Sequence, residues 1–356
     1  MPTKTHFDLI KSFIFNEIVS KNRRINETPQ PNDHNTFIIS AARRAGLEMK
    51  KVGPTYCFYD GNSLIGAIRY MKTSLVSSIA LPSCSDKITT KILMENSGIV
   101  VPSGSSFQVS EYGAALEFFS SIQGPVTVKP SGGSSGIGIT VGVSSEEELK
   151  AAWSNASQNA RQNERIIVEE VVDGLDLRIY VIDGEVAACA TRIAPFVVGD
   201  GQSKIHELVI SANQQREKHG YLKKHPMVIS DSILAEQGLM RESILSKDQV
   251  AILGRTTNIG QGGLHMDLTG QIDPDICRLA IQATEAIPGL RVAGVDIMVD
   301  DVFNPNHAAV IEVNTAADIS VHQLPAIGEP IDMGAKIVEA LLREHQRHKL
   351  PTDNAY

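Results

Sequence analysis

A mixed α/β (α+β) fold is the class this sequence predicts, on three observations. Apolar residues recur at helical spacing at Phe7, Ile10, Phe13, Ile14 and Ile18, and again over residues 276–287 and 333–345. Strand-like runs rich in Val and Ile occupy residues 126–129, 166–172, 292–299 and 309–314. The dipeptides Asp173-Gly174 and Asp183-Gly184 punctuate strand-like segments as turns. The 356 residues suffice for two or three lobes, since domains usually run about 100 to 200 residues.

Each element follows from local signals. Residues 1–24 are helix-spaced, with no uninterrupted apolar stretch or small-residue cleavage site of an export signal. Beyond a Pro- and Asn-rich break at 26–35, residues 36–46 are an apolar run feeding a short helix that stops at Gly46. Residues 56–59 and 76–81 read as strands, which predicts a small α/β lobe to about residue 82. A helix follows with Ser85 or Asp86 as cap, Lys87, Thr90, Lys91, Leu93 and Met94 inside, and Gly98 at its close. Residues 126–129 and 139–143 are strands flanking a Gly/Ser loop, and Ser145 with Glu148 forms a capping box for the next helix. Residues 177–182 and 186–191 make a hairpin across Asp183-Gly184. The pattern is helical from 205 to about 217, then polar and weakly periodic to 247.

Composition excludes several classes. With 42% hydrophobic and 21% charged residues the chain is globular in type. The net charge is −8 and no Lys/Arg block stands apart from acidic neighbours, so no nucleic-acid partner is expected. Cys57, Cys84, Cys189 and Cys277 lack CxxC spacing, which predicts mostly core thiols in a reducing compartment. No run approaches the roughly 18 apolar residues that span a bilayer. A cytoplasmic protein without a membrane partner is expected.

Two stretches carry chemistry. In Lys129-Pro-Ser-Gly-Gly-Ser-Ser-Gly-Ile-Gly138 a strand-end lysine precedes a loop whose glycines allow backbone N–H groups and hydroxyls to close on phosphate oxygens. A plain Gly/Ser hairpin has the same composition, so this loop alone does not decide. Neither GxxxxGK[ST] nor a dinucleotide GxGxxG is present. In Ala309-Val-Ile-Glu-Val-Asn314 the two-residue period of a strand projects Glu312 and Asn314 to one side, and a neighbouring strand can bring Asp296 opposite them. Two carboxylates and an amide oxygen suit Mg2+ bound together with phosphates.

These blocks resemble the ATP-grasp superfamily, in the branch that includes cyanophycin synthetase and the glutathione-synthetase part of bifunctional glutathione-forming enzymes. The resemblance runs from about residue 35 to 342. It is carried by Asp86-Lys87-Ile-Thr-Thr-Lys ahead of Gly98-Ile-Val-Val-Pro102; Lys129-Pro; Ile167-Val-Glu-Glu-Val-Val-Asp-Gly-Leu-Asp-Leu-Arg178; Arg192-Ile-Ala-Pro195 with Val198-Gly-Asp-Gly201; Thr257-Asn258-Ile-Gly-Gln-Gly-Gly263; Asp267-Leu-Thr269; Gly294-Val-Asp296; and Glu312-Val-Asn314.

The resemblance implies an N-terminal lobe (1–85), a linker helix and lid subdomain (86–185), a C-terminal subdomain with the Mg and substrate site (186–347) and a tail (348–356), the two subdomains clamping a nucleotide. It implies that Lys87 and Lys129 hold ATP phosphates under a lid containing Ser134, Ser135 and Gly136. Glu169, Glu170 and Val172 would form the adenine hinge, through main-chain groups of Glu170 and Val172, and Asp176 would take the ribose hydroxyls. Asp296, Glu312 and Asn314 would bind two Mg2+ ions, with Mn2+ able to substitute. Arg192 would face an acyl-phosphate and Asn258 would line the catalytic site. Arg178 matches the branch, and is equally placed to pair with Glu169 or Glu170. The implied activity is amide formation between a small-molecule carboxylate and an amine, amino acids or a small peptide; a kinase of the same fold without ligation is the alternative. A homodimer and a stand-alone ligase are further implications. One departure stands out: Asp318 occupies a position where relatives usually carry glycine after a proline, so Asp318 with His322 is a candidate for recognising a substrate ammonium, against a plain Asx-turn.

Overall fold

The computed structural model describes residues 6–30, 35–133 and 136–349. The chain opens on α1 (His6–Ile14), continued by a π-helical turn over Phe15–Val19. Ile10, Phe13, Ile14 and Ile18 are buried, as their spacing requires. In α2 (Asn35–Arg44) the whole apolar run is helical, and Gly46, at φ +78°, lies just past its end, where a side chain would be strained. Next come β1 (Glu48–Val52), β2 (Thr55–Asp60), β3 (Ser63–Arg69) and β4 (Lys72–Thr73), an antiparallel sheet in sequence order.

The strand expected at 76–81 is not formed. Val76 makes only an isolated bridge to Leu290, and the chain then turns into α3 (Ala80–Ser85). The Ser77 hydroxyl accepts the Ala80 N–H at 3.0 Å, a local bond that competes with a ladder. Pro82, without an N–H, fits the first turn of a helix better than a strand interior.

A second layer system begins with α4 (Lys87–Asn96), whose cap is Asp86: its carboxylate accepts the N–H groups of Ile88 and Thr89. Then follow β5 (Gly104–Phe107), α5 (Tyr112–Ser121), β6 (Val126–Pro130), β7 (Thr140–Val143), α6 (Glu146–Asn159) and β8 (Ile166–Glu170). The strands form one antiparallel sheet in the order β5-β8-β6-β7, backed by Leu149, Ala152 and Trp153 of α6. The Ser145/Glu148 capping box is present in both directions.

The remaining strands β9 (Leu175–Ile182), β10 (Glu185–Ile193), β11 (Phe196–Val198), β12 (Val250–Ile252), β13 (Leu264–Asp267), β14 (Val292–Val299) and β15 (Ala308–Asn314) are joined by α7 (Ile205–Arg216), α8 (Asp231–Glu236) and α9 (Pro274–Glu285). α10 (Ser320–Gln323) and α11 (Met333–Lys349) complete the described chain. The large sheet has the order β13-β10-β9-β14-β15 and is antiparallel throughout. Asp183 and Gly184, at φ +57° and +82°, turn β9 into β10 as an Asp-Gly hairpin demands.

The two-residue period of this sheet positions the site. Leu175, Leu177, Ile179 and Val181 face α9 and share one core with Val295, Ile297 and Val299. Their neighbours Asp176, Arg178, Tyr180 and Ile182 face the other way. Tyr180 and Ile182 are covered by a second core with Ile38 of α2 and Leu341 of α11. Asp176 and Arg178 lie beyond that cover, so one end of the face is dry and the other charged.

Cys189 is fully buried, whereas Cys57, Cys84 and Cys277 are half-buried, which corrects the expectation of mostly core thiols. Among the described residues no helix is long and apolar enough to cross a membrane.

Candidate functional site

The charged end of the large sheet is built by register. β14 pairs with β9 so that Asp296 lies opposite Arg178, and β10 pairs with β9 so that Arg192 lies opposite Asp176. Arg178 donates from Nε to Asp296 Oδ1 and from Nη2 to Oδ2 at 3.0 Å, a two-pronged contact. Arg192 donates to Asp176 Oδ1 at 2.6 and 3.1 Å and lies 3.0 Å from Asp296 Oδ2. The Thr257 hydroxyl donates to the other oxygen of Asp176. Burial pushes the Asp296 carboxyl upward, but Arg178 and Arg192 outweigh it and hold it below the usual carboxylate range. Burial likewise opposes the Arg192 charge, and Asp176 and Asp296 together raise its pKa. Arg178 therefore pairs with Asp296 and not with Glu169 or Glu170, the alternative partners left open by the sequence.

Glu312 lies directly opposite Asp296 on β15, and Asn314 opposite Gly294, so Asp296, Glu312 and Asn314 share a face. Lys87 Nζ is 3.7 Å from Glu312 Oε1 and donates to the carbonyls of Gly132 (3.3 Å) and Gly133 (3.2 Å) at the start of the Gly/Ser loop. Through Lys87 and Glu312 the large sheet meets α4 and the smaller sheet.

Between them is a narrow cleft lined by Lys87, Lys91, Lys129, Glu169 and Glu312 together with Met94, Val101 and Ile311. Lys129, at the end of β6, donates to Glu169 Oε1 at 2.5 Å, and Lys91 Nζ lies 3.6 Å from Glu169 Oε2. Lys129 and Glu169 are both buried. Glu170, next along β8, is exposed, and its N–H is already donated to the Ser103 carbonyl at 2.8 Å. Val172 is half-buried beyond the strand end.

Ser134 and Ser135 lie outside the described residues. Gly136 is described, and a Cβ there would sit 3.8 Å from Asn258 Nδ2, so the loop returns over the segment carrying Asn258. Asn258 caps a short 3-10 turn by accepting the Gly260 N–H at 2.9 Å.

Asp318 accepts the Ser320 N–H at 2.8 Å, an Asx-turn, and also the Tyr221 hydroxyl at 2.9 Å. His322 does not join it at a surface. It is fully buried, edge-on to Tyr180 at 6.0 Å, with its pKa lowered to about 3 by burial and by Arg178. Direct contact of His322 with a substrate ammonium is thereby corrected; Asp318 alone remains at the border of the charged face.

Lys91, Thr257 and Tyr221 join these clusters without having been singled out by sequence. Lys91 had a usable signal, since it follows Lys87 by four residues and so shares its helix face. Thr257 stood in a block that carries the resemblance but without a role of its own, and Tyr221 had no signal, because their partners Asp176 and Asp318 are set by tertiary packing.

Glu312 and Asn314 offer oxygen donors of the kind a hard divalent cation takes, whereas both oxygens of Asp296 are engaged by Arg178 and Arg192 and would have to be shared. Glu312 keeps part of its side chain exposed and Asn314 is half-buried, both with oxygen donors on the face of Asp296. Among the described residues no group of three or more His, Cys, Asp and Glu side chains is placed to hold a metal ion.

Comparison with known proteins places this geometry. The family model described as D-ala D-ala ligase C-terminus matches residues 93–212. The chain is 32% identical over 275 residues to cyanophycin synthetase of Synechocystis sp., which covers 75% of this chain and 31% of that protein. It is 32% identical over 297 residues to the glutathione biosynthesis bifunctional protein GshAB of Streptococcus mutans, 78% of this chain and 38% of that one. The chain thus spans about a third of the length of the curated relatives it matches. Among solved structures, a bifunctional glutathione synthetase from Pasteurella multocida superposes with a TM-score of 0.64 at 24% identity, over 87% of this chain and 44% of that chain.

Proposed function

We propose that this chain, which has the ATP-grasp fold, is an ATP-dependent ligase that joins a substrate carboxylate to an amine through an acyl-phosphate, releasing ADP and phosphate. The observation that carries the reading is the continuity of two charged surfaces. The lysine cleft meets the Arg178/Arg192/Asp296 face at the Lys87–Glu312 contact of 3.7 Å. Cations for a triphosphate and oxygen donors for a metal thus line one path. The relatives named above are, by name, a cyanophycin synthetase and a glutathione-forming enzyme, and amide formation is the chemistry extended to this chain.

In this reading Lys87 and Lys129 bind the phosphates, Gly136 belongs to the covering loop with Ser134 and Ser135, and the adenine is met at Glu169, Glu170 and Val172. With the Glu170 N–H engaged by Ser103, Val172 is the better candidate for main-chain recognition of the base. The resemblance gives Asp176 to the ribose; its carboxylate is held by Arg192 and Thr257, so a ribose would have to share it. Asp296, Glu312 and Asn314 would hold Mg2+, two ions by resemblance and with Mn2+ able to replace them, to neutralise phosphate charge. Arg192 offers a rigid donor fork to a developing acyl-phosphate, with Arg178 and Asn258 bordering the substrate. No covalent protein nucleophile is required. Cys84, beside the cleft, is pushed up to about 12 by burial and by Glu312, so its thiol stays protonated. We extend the reading to two subdomains, a homodimer and a cytoplasmic setting; the boundary expected at 185/186 moves ahead of β9 (Leu175–Ile182), because that strand is the middle of the large sheet.

The test is a pairwise amino-acid screen for ADP and phosphate release, with mass spectrometry of the products. An amide formed only when a carboxylate and an amine donor are both present supports the ligase. A persisting phosphorylated acid without amide assigns a kinase instead, and absence of nucleotide turnover across the panel overturns both.

A further inference from the structure

Glu169 divides its two oxygens between two lysines. Oε1 takes Lys129 at 2.5 Å, while Oε2 faces Lys91 at 3.6 Å. The Lys91 ammonium is buried and makes no hydrogen bond among the described residues. Lys87, Lys91 and Lys129 line the same cleft as Glu169 and Glu312, so the described lining carries three cations against two carboxylates.

Binding a nucleotide in this cleft has a local cost. For Lys129 to reach a phosphate it must give up Glu169, which is 4% exposed. A buried carboxylate stripped of its partner is strongly unfavourable. Without a substitute, Glu169 would hold Lys129 back and repel the incoming anion. Lys91 is the substitute within reach: it is on α4, one turn from Lys87, already beside the second oxygen, and its hydrogen-bonding capacity is unspent.

We propose that Lys91 is a positioning residue for nucleotide binding, taking over Glu169 as Lys129 transfers to phosphate. This rests on the nucleotide reading of the cleft and deepens it. Lys91 need not touch the ligand; it acts by keeping Glu169 paired in both states. The competing role is static, a Lys91–Glu169 ion pair that merely fastens α4 to β8.

The experiment titrates Mg·ADP into the full chain by calorimetry, for wild type, Lys91→Met, Lys91→Arg, Glu169→Gln and the double variant Lys91→Met/Glu169→Gln, alongside thermal denaturation. Lys91→Met should weaken ADP binding at least tenfold. Lys91→Arg should retain most of the affinity. Glu169→Gln should relieve the Lys91→Met defect, because no buried charge is then left to balance. Unchanged affinity in Lys91→Met with a lowered Tm establishes the static role and overturns the proposal. So does a defect that Glu169→Gln does not relieve, since Lys91 would then act independently of Glu169. Should Lys91→Met not fold, the wild-type, Lys91→Arg and Glu169→Gln titrations decide: Lys91→Arg binding as poorly as a tenfold loss refutes the charge-balancing role. Failure of wild type itself to bind Mg·ADP sinks the nucleotide reading rather than this inference alone.

Discussion

Arg192 bonds to Asp176 at 2.6 Å and reaches Asp296 at 3.0 Å, so one guanidinium ties together carboxylates from two different strands. All three side chains are largely buried. Each carboxylate has a further partner, Thr257 for Asp176 and Arg178 for Asp296, so removal of Arg192 weakens both without orphaning either. Arg192→Ala should therefore cost stability toward the low end of the roughly 3 to 5 kcal/mol typical of a broken buried pair. Turnover should fall at least a hundredfold. Arg192→Lys should recover much of the Tm and little of the turnover, because an ammonium cannot present the planar fork. Amide formation by Arg192→Lys at the wild-type rate would show the residue to be purely structural.

Gly294 supplies a second check on the same face. A Cβ at this position would collide with the Ala317 side chain and come within 3.1 Å of Arg178 Cδ. Gly294→Ala must move either the loop carrying Asp318 or the arginine that holds Asp296. It should cost about 1 to 3 kcal/mol, in line with overpacking elsewhere, and should raise the KM for the amine more than that for ATP. Denaturant unfolding and steady-state kinetics read the two effects separately, and an equal rise in both constants would contradict the assigned geometry.

Acid sensitivity should come first from buried histidines. His265 is lowered to about 4 by burial, despite its bond to the Leu324 carbonyl, and His322 to about 3. His265 faces His219, Tyr221, Arg216 and Asp318; His322 faces Tyr180, Arg178, His265, Asp318 and Arg192. Both folded values lie below the unfolded one, so the unfolded chain binds more protons as pH falls below about 6.5. The stability of the neutral imidazoles is full above that pH and is lost on acidification, at about 1.4 kcal/mol per pH unit for each histidine once well below 6.5. Asp296, whose folded value is depressed, adds its loss only near and below the ordinary carboxylate range. Unfolding midpoints between pH 7.5 and 4.5 should fall accordingly, and His322→Phe should flatten the slope. A flat profile for wild type would mean that these histidines titrate normally.

How far the site is legible in sequence depends on what sets each contact. Glu312 and Asn314 stand two apart in an apolar strand, and Arg192 interrupts Ala-Thr-Arg-Ile-Ala; charge in such surroundings is conspicuous because burying it alone is costly. The partner of Arg178 is not legible, since Asp296 is 118 residues away and only the β9–β14 register brings it opposite. Among the first four strands only β2 is foreseen. The exposed β1, with Lys50 and Lys51, has no apolar alternation to betray it. Residues 76–81 have strand-like composition, but the Ser77 hydroxyl and Pro82 act through bonds that composition does not weigh. The fold follows from periodicity, whereas the ion-pair choices follow from register.

Asp318 is where the site departs most from the resembling pattern, and its two candidate roles can be separated by one atom. The carboxylate closes a turn with Ser320 and accepts the Tyr221 hydroxyl. An asparagine can keep the Ser320 bond through its carbonyl oxygen and donate from its amide to the Tyr221 hydroxyl in place of accepting from it, while losing the charge. Asp318→Asn should therefore leave Tm within a degree or two. If the charge attracts a substrate ammonium, the KM for the amine should rise at least fivefold, with the KM for ATP unmoved. The shift should also grow as ionic strength falls, because a partly exposed charge is screened by salt. An unchanged amine KM would leave Asp318 as a turn former, and the amine's cation would then have to be met elsewhere on the charged face.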